Sequence, residues 1–273
     1  MIKIERKNKL DAERKKQIVE AYLKNLDRKE KNFVLKIKPL FEAQKEEVLH
    51  KIGLINAPKQ LMKLYLQKKI DDVLFDKKEA VQAFIKFEKP LLTDTLMDGA
   101  AESLELVGVP FSAFDLQVVT ITNYLRKQSS KFALKVNDAT IRQLRRELKT
   151  GLLEGESIAD LKTRVENVYD MATGYRAERM ARTEMGSALN YGSWEGMTQS
   201  KVVDEKEWIS VIDDRTRGAG YGDDYDHISA DGQIVPVNNR FEISGESLQY
   251  PRDPVGSAGN IINCRCKVIA VIK

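Results

Sequence analysis

Apolar residues recur every three or four positions over most of the first 200 residues, which is the spacing of one face of an α-helix. The first such segment predicts an amphipathic helix over residues 9–38, whose apolar positions include Ile18, Val19, Tyr22, Leu23 and Leu26. Pro39 predicts a break, because proline removes a helical hydrogen bond, and a second helix is expected over residues 40–52.

Several more helices follow, separated by glycine and proline. They are predicted over residues 78–107, 113–128, 137–153, 158–169 and 175–199. Asn137 and Asp138 are expected to cap the third of these helices at its N-terminus. Ser157 is expected to cap the next one, with Asp160 as its acidic partner in the first turn.

The helical spacing ends near Lys206, and short stretches that alternate or run apolar replace it. EWISVID (207–213) and CRCKVIAVI (264–272) each predict a strand, and GQIVPVNNRFEI (232–243) predicts two strands around a turn at Asn238-Asn239. The chain is therefore predicted to be an α+β protein. We expect a helical N-terminal region over 1–130 that docks a partner, and a second domain over 131–273 in which a helical segment packs on a small β-containing part.

Composition excludes several classes of protein. Two cysteines in 273 residues do not make a disulfide framework, and no apolar run approaches the ~18 residues that span a bilayer. The N-terminus lacks the apolar core of a secretory signal, so synthesis in a reducing cytoplasm is expected.

Charge is distributed unevenly along the chain. Residues 1–50 contain 14 Lys and Arg against 9 Asp and Glu, whereas residues 204–273 contain 8 against 12. The basic front is interpreted as a solvated helix face, with nucleic-acid binding or an acidic protein surface as the alternatives.

No phosphate-binding glycine motif is present, and the chain has only two histidines, His50 and His227. His227 lies in a loop rich in carboxylates, and oxygen clusters of this kind can hold a hard cation. A metal-assisted hydrolase or nuclease that uses His227 is therefore an alternative function, with the nearby carboxylates Asp213, Asp214, Asp223, Asp224, Asp226 and Asp231.

Cys264 and Cys266 stand one residue apart near the C-terminus. With His227 they offer three ligands for zinc, but on a regular strand the two thiols would lie ~6.6 Å apart, too far for tetrahedral sharing without a bend. A disulfide across one residue would be strained. The remaining interpretation is that both thiols pack inward as small apolar groups, and all three interpretations stay open.

Four segments, in order, resemble the phage Mu protein F-like family of phage head morphogenesis, or minor capsid, proteins. They are residues 151–196, WISVIDDRTR (208–217), HISADGQIVPVNNRF (227–241) and LQYPRDPVGSAGNIINCRC (248–266). The resemblance covers about residues 137–270. It implies that the following signature positions join the last long helix to the β tail: Arg182, Thr183, Glu184, Asn190, Trp208, Asp214, Arg215, Arg217, His227, Gly232, Asn263, Cys264, Arg265 and Cys266.

The resemblance also implies a function. Such proteins are low-copy components of the phage head that associate with the portal protein during procapsid assembly, and some aid DNA packaging or delivery. It implies a virion protein at the head interior or portal vertex, present in the bacterial cytoplasm during assembly, without turnover chemistry or membrane contact. The expected partners are portal, capsid or scaffold proteins, and DNA through the basic helices. No cofactor is expected, apart from the zinc alternative.

Some longer relatives carry a toxin or ADP-ribosyltransferase domain after N-C-R-C, for which this chain is expected to leave no room.

Overall fold

The long helices expected from the apolar spacing are present, and they are followed by short strands. The computed structural model describes residues 12–218 and 224–272, so residues 9–11 of the first predicted helix lie outside it. The helices are α1 (Ala12–Gly53), α2 (Pro58–Leu66), α3 (Lys77–Leu106), α4 (Val119–Leu153), α5 (Ile158–Thr173), α6 (Tyr175–Ser200) and α7 (Ala258–Ile261). Short 3₁₀ turns lie at Ile70–Val73 and Phe111–Ala113. The α+β prediction is confirmed.

Two predicted breaks between helices are wrong, and α4 begins at Val119 rather than at residue 113. Pro39 lies inside α1, where Ile37 and Phe41 on either side of it are fully buried. Burial of these side chains offsets the cost of about 3 kcal/mol for a proline in a helix. Asn137 lies in the middle of α4, where its amide accepts a 2.7 Å hydrogen bond from Gln44 and donates one of 2.8 Å to the Ala133 carbonyl. Its side chain is thus satisfied without forming a cap.

The predicted start of α5 is confirmed. Ser157 accepts a hydrogen bond from the Asp160 backbone N–H, and the Asp160 carboxylate accepts one from the Ser157 backbone N–H. This reciprocal pair satisfies two donors that the first turn of a helix leaves without partners.

The strands form two small antiparallel groups. The first has the order β2 (Ile234–Pro236), β1 (Glu205–Ile209) and β5 (Lys267–Val271), and the second pairs β3 (Phe241–Ile243) with β4 (Glu246–Leu248). The strands around Asn238 exist but do not pair with each other, because β2 joins β1 and β3 joins β4. Ser244 and Gly245 both have positive φ, as a two-residue hairpin turn requires.

The chain forms two compact units, and neither is continuous in sequence. One comprises residues 32–90 and 122–178, and its core contains edge-to-face contacts among Phe33, Phe41, Phe84, Phe87 and Phe132. Among the described residues, the other comprises 12–31, 91–121, 179–218 and 224–272, and it contains both groups of strands. The division into domains at residue 130 remains a prediction.

Close helix packing holds α3 against α6 within the second of these units. A Cβ atom on Gly192 would lie 1.9 Å from the Leu96 carbonyl oxygen, and one on Gly99 would lie 2.1 Å from the Leu189 oxygen. Ser193 donates a 3.2 Å hydrogen bond to the Gly99 carbonyl. The two backbones can approach this closely because glycine has no side chain.

Lys206 is a fully buried cation on β1. Its ammonium donates a 2.6 Å hydrogen bond to the Gln249 carbonyl and lies 5.0 Å from the centroid of the Phe241 ring. Burial lowers the pKa of Lys206 from 10.5 to about 7; the nearby Asp253 charge opposes this shift, whereas Arg240 adds to it.

This lowered pKa predicts a pH-dependent stability. Between pH 7 and 10.5 the unfolded chain binds more protons at Lys206 than the folded chain, so stability rises with pH by up to about 1.4 kcal/mol per unit. Denaturant unfolding of the wild type and Lys206→Met should therefore show the wild type gaining stability relative to the variant as pH rises from 7 to 10. Lys135→Met, at an exposed lysine, is the control. Parallel pH curves for wild type and Lys206→Met would contradict the shift.

Candidate functional site

The two cysteines lie immediately before β5 rather than on it, and this changes their geometry. Asn263 has a φ of 60°, which bends the chain just before Cys264. The Cys266 backbone N–H then donates to the Cys264 sulfur at 3.4 Å. The two thiols and a ring nitrogen of His227 all lie within 4.8 Å of one another. The separation expected for a regular strand is thus wrong, since the strand begins only at Lys267.

His227 is held from several sides. Its Nε2 lies 3.0 Å from the Asn260 side-chain oxygen, and Nδ1 lies 3.5 Å from the Cys266 sulfur. The ring meets Trp208 edge-on, with centroids 5.8 Å apart, and the Ser210 hydroxyl donates to the His227 carbonyl. His227 is 2 % exposed, so its ring orientation is fixed by these contacts.

Charge in this cluster favours a thiolate at Cys264. Burial raises the pKa of Cys264, but hydrogen bonds from Cys266 and His227 and the positive charge of Arg252 outweigh burial and lower it well below the usual value. For His227, burial lowers the pKa, and interaction with Cys264 more than compensates. Burial and the neighbouring Cys264 charge raise the pKa of Cys266.

Arg252 is a buried cation beside this cluster. It is fully buried, and it donates a 3.1 Å hydrogen bond from Nη1 to the Tyr22 hydroxyl. Its Nε and Nη2 have no hydrogen-bond partner among the described residues. Gly186 on α6 makes room for it, since a Cβ there would lie 1.0 Å from Nη1. The Tyr22 hydroxyl in turn donates to the Cys266 carbonyl at 3.2 Å, and burial raises the pKa of Tyr22 to about 12.

A cavity of about 280 Å³ opens onto the cluster. Its lining includes His227 and both cysteines, together with the arginines Arg182, Arg215, Arg217 and Arg265. Three of these arginines have fixed positions: Arg182 donates to Asn263 at 3.1 Å, Arg217 to the Ile262 carbonyl at 2.7 Å, and Arg265 to Asp213. The cavity therefore combines two sulfur atoms and an imidazole with a positive wall.

Asn190 connects α6 to the terminal strand. Its amide nitrogen donates to the Cys266 carbonyl at 3.1 Å and to the Gly186 carbonyl at 3.0 Å, and its oxygen accepts from the Val268 N–H at 2.9 Å. Val268 pairs with Trp208 in the sheet, so Asn190 bonds directly to the backbone of an edge strand.

Other signature residues lie at different distances from the cluster. Trp208 is fully buried, and Gly232 has a φ of 77° and donates its N–H to the Trp208 carbonyl at 2.9 Å. Thr183 hydrogen-bonds within α6 to the Arg179 carbonyl, and Glu184 is half-buried on the same helix. Asp214 is exposed in the turn before Arg215. These residues form the surroundings of the cluster and do not all meet at one point.

The residues of the hydrolase hypothesis do not assemble around His227 among the described residues. Asp226 accepts hydrogen bonds from the Ser229 N–H and hydroxyl, Asp231 accepts one from the Ser210 N–H, and Asp213 pairs with Arg265. The metal-capable group that includes His227 in this part of the chain contains cysteines and no carboxylate. Asp223 lies outside the described residues.

Four residues of the site were not identified from the sequence: Tyr22, Ser210, Arg252 and Asn260. Tyr22 follows the apolar spacing of α1, which conceals the role of its hydroxyl. Arg252 stands in a proline- and glycine-rich loop, where a charged residue usually faces solvent. The glycine at 186, inside a strongly helical pattern, is the one signal that a bulky neighbour needs space there.

The comparisons with known proteins confirm the resemblance. Residues 142–269 match the family model described as Phage Mu protein F like protein. This match supports a resemblance to phage head morphogenesis and minor capsid proteins. No helix in the described ranges combines the length and apolar character needed to cross a membrane.

Two curated relatives are similar to this chain. NAD(+)--arginine ADP-ribosyltransferase EFV of Enterococcus faecalis (strain ATCC 700802 / V583) is 33% identical over 149 residues, which cover 54% of this chain and 29% of that protein. The uncharacterized protein YqbB of Bacillus subtilis (strain 168) is 25% identical over 262 residues, covering 93% of this chain and 78% of the relative. The chain thus spans under a third of the first relative. No solved structure matches it.

Proposed function

We propose that this chain, whose residues 142–269 match the Phage Mu protein F like family model, belongs to that family and is a minor head protein that binds the portal vertex during procapsid assembly. The family match is the observation that carries the proposal. On this proposal the protein stays in the head interior or at the portal vertex, contacts portal, capsid or scaffold proteins, and aids packaging or delivery of the DNA.

The basic N-terminal helix α1 is the proposed docking element. It is proposed to bind its partner through its positive charge and not through an apolar surface. The apolar stripe of α1 lies in the core, with Tyr22, Leu26 and Phe33 no more than 2 % exposed, so it is occupied by the chain itself. The exposed face instead presents a row of lysines, namely Lys16, Lys24, Lys31 and Lys38. Such a row suits an acidic patch on an assembling head protein.

Charge reversal tests this docking without disturbing the core. Lys16→Glu, Lys24→Glu and Lys38→Glu together should reduce incorporation into procapsids by at least about tenfold, since several opposed charges cost a few kcal/mol at an interface. The measurement is the amount of the protein that sediments with procapsids when the phage head proteins are co-expressed. Circular dichroism should show unchanged helix content.

The matched control reverses the same number of exposed lysines on α4, at Lys127, Lys135 and Lys149. This control should incorporate like the wild type. Equal incorporation of both variants and the wild type would contradict docking through α1. If the α1 variant still incorporates but loses salt-sensitive DNA binding, the basic face contacts nucleic acid instead. Absence of the wild-type protein from procapsids would contradict the proposed function as a whole.

A further inference from the structure

We propose that His227, Cys264 and Cys266 bind a thiophilic divalent cation of the zinc class, with a fourth coordination position that faces the arginine-rich cavity. Zinc takes sulfur and imidazole ligands in a tetrahedral arrangement, and three protein ligands leave one position open. The inference stands independently of the proposed role in head assembly.

Convergence of the donor atoms is the first argument. The three donor atoms lie within 4.8 Å of one another, and all three residues are buried. The Cys264 sulfur already accepts a hydrogen bond from the Cys266 backbone N–H at 3.4 Å. Such a bond stabilises a thiolate, because a donor that faces the charged form favours it. Because the donor atoms are already within 4.8 Å of one another, binding of a cation needs only a small inward movement of the three side chains.

The orientation of the imidazole is the second argument. The Asn260 amide nitrogen donates to the Ile243 carbonyl at 3.3 Å, so its oxygen is the atom that faces His227. This oxygen lies 3.0 Å from Nε2 and accepts its proton. The Nδ1 lone pair then points toward Cys266, at 3.5 Å. Histidines that bind metal are usually fixed in this way through the other ring nitrogen.

The surroundings are the third argument. Arg252 is buried with two nitrogens that have no hydrogen-bond partner among the described residues, and a buried cation of this kind favours anionic neighbours such as thiolates. On the open side, the cavity walls carry Arg182, Arg215 and Arg217. The fourth position is therefore suited to water or to an anionic group, such as a carboxylate or a phosphate, that the arginines attract.

Metal analysis of the untagged full-length protein, kept reduced, tests the site. After dialysis against a buffer containing Zn²⁺, elemental analysis should give one ion per chain. Replacement by Co²⁺ should produce thiolate-to-cobalt charge-transfer absorption in the near ultraviolet. This spectrum requires no substitution, so it remains informative even where a variant fails to fold.

Substitutions then assign the ligands. Cys264→Ser, Cys266→Ser and His227→Ala should each abolish stoichiometric binding, whereas His50→Ala, at the exposed second histidine, should retain it. Asn260→Ala should weaken Zn²⁺ binding about 10- to 100-fold, and Asn260→Asp, which keeps an acceptor for Nε2, should restore it. Wild-type protein that retains no stoichiometric ion, or a cobalt spectrum without the thiolate band, would overturn the proposal in favour of two packed, protonated thiols.

Discussion

Gly192→Ala is expected to lower the free energy of unfolding by about 3 kcal/mol or more, although alanine usually favours a helix by about 1 kcal/mol over glycine. The added Cβ would lie 1.9 Å from the Leu96 carbonyl oxygen, and backbone atoms cannot move aside as a flexible side chain can. The helices α3 and α6 would have to separate, and apolar contacts along both would be lost. Urea unfolding followed by circular dichroism measures the change.

A graded series checks this reason. At Gly196 the nearest atom to a new Cβ, the Ala100 carbonyl oxygen, lies 2.9 Å away, so Gly196→Ala should cost clearly less than Gly192→Ala. Gly53→Ala is the control, because its closest neighbour is the flexible end of Lys162 at 3.0 Å. Equal effects at Gly192 and Gly53 would show that the backbone approach between α3 and α6 is not a stabilising contact.

Asn190→Ala is expected to destabilise the protein by about 3 kcal/mol, because it leaves the buried Val268 N–H without its acceptor and removes donors to two carbonyls. The loss of these bonds should exceed the gain in helix propensity. Thermal and urea unfolding measure the change, and Asn239→Ala in an exposed turn serves as the control.

A second measurement locates the effect of Asn190→Ala. Amide hydrogen exchange at Val268 should accelerate more than exchange in α5, which lies in the other compact unit. Uniform acceleration across the chain, or a loss of stability no greater than that of Asn239→Ala, would contradict the assignment of Asn190 as the connection between α6 and β5.

The long elements were predictable because each depends on a local pattern. The apolar spacing identified α3 and α6 almost to the residue, and the Ser157-Asp160 pair identified the start of α5. Pro39 and Asn137 led to wrong predictions of a helix break. In each case the burial of neighbouring side chains outweighed the local signal for a break. Spacing gives the period of a helix but not the strength of the packing that surrounds it.

The site was only partly predictable because it depends on one strand boundary and on distant residues. Placing Cys264 on the strand separated the two thiols, whereas a start three residues later, at Lys267, brings them together. A boundary error of this size is ordinary for an element predicted from its pattern. Arg252 and Tyr22 reach the cluster from remote parts of the chain, and no local pattern records such a contact.

The hydrogen bond from Tyr22 to the Cys266 carbonyl has a consequence for the order of events during translation. The two residues are 244 positions apart, so a nascent chain presents Tyr22 long before its acceptor has been synthesised. All residues of the unit made of residues 32–90 and 122–178 have been synthesised once residue 178 has been added. Apolar residues that the other unit buries, such as Leu26 in α1, are synthesised long before its strands, and exposed apolar surface of this kind is what chaperones bind. Vectorial synthesis thus completes the unit that carries the cysteines last.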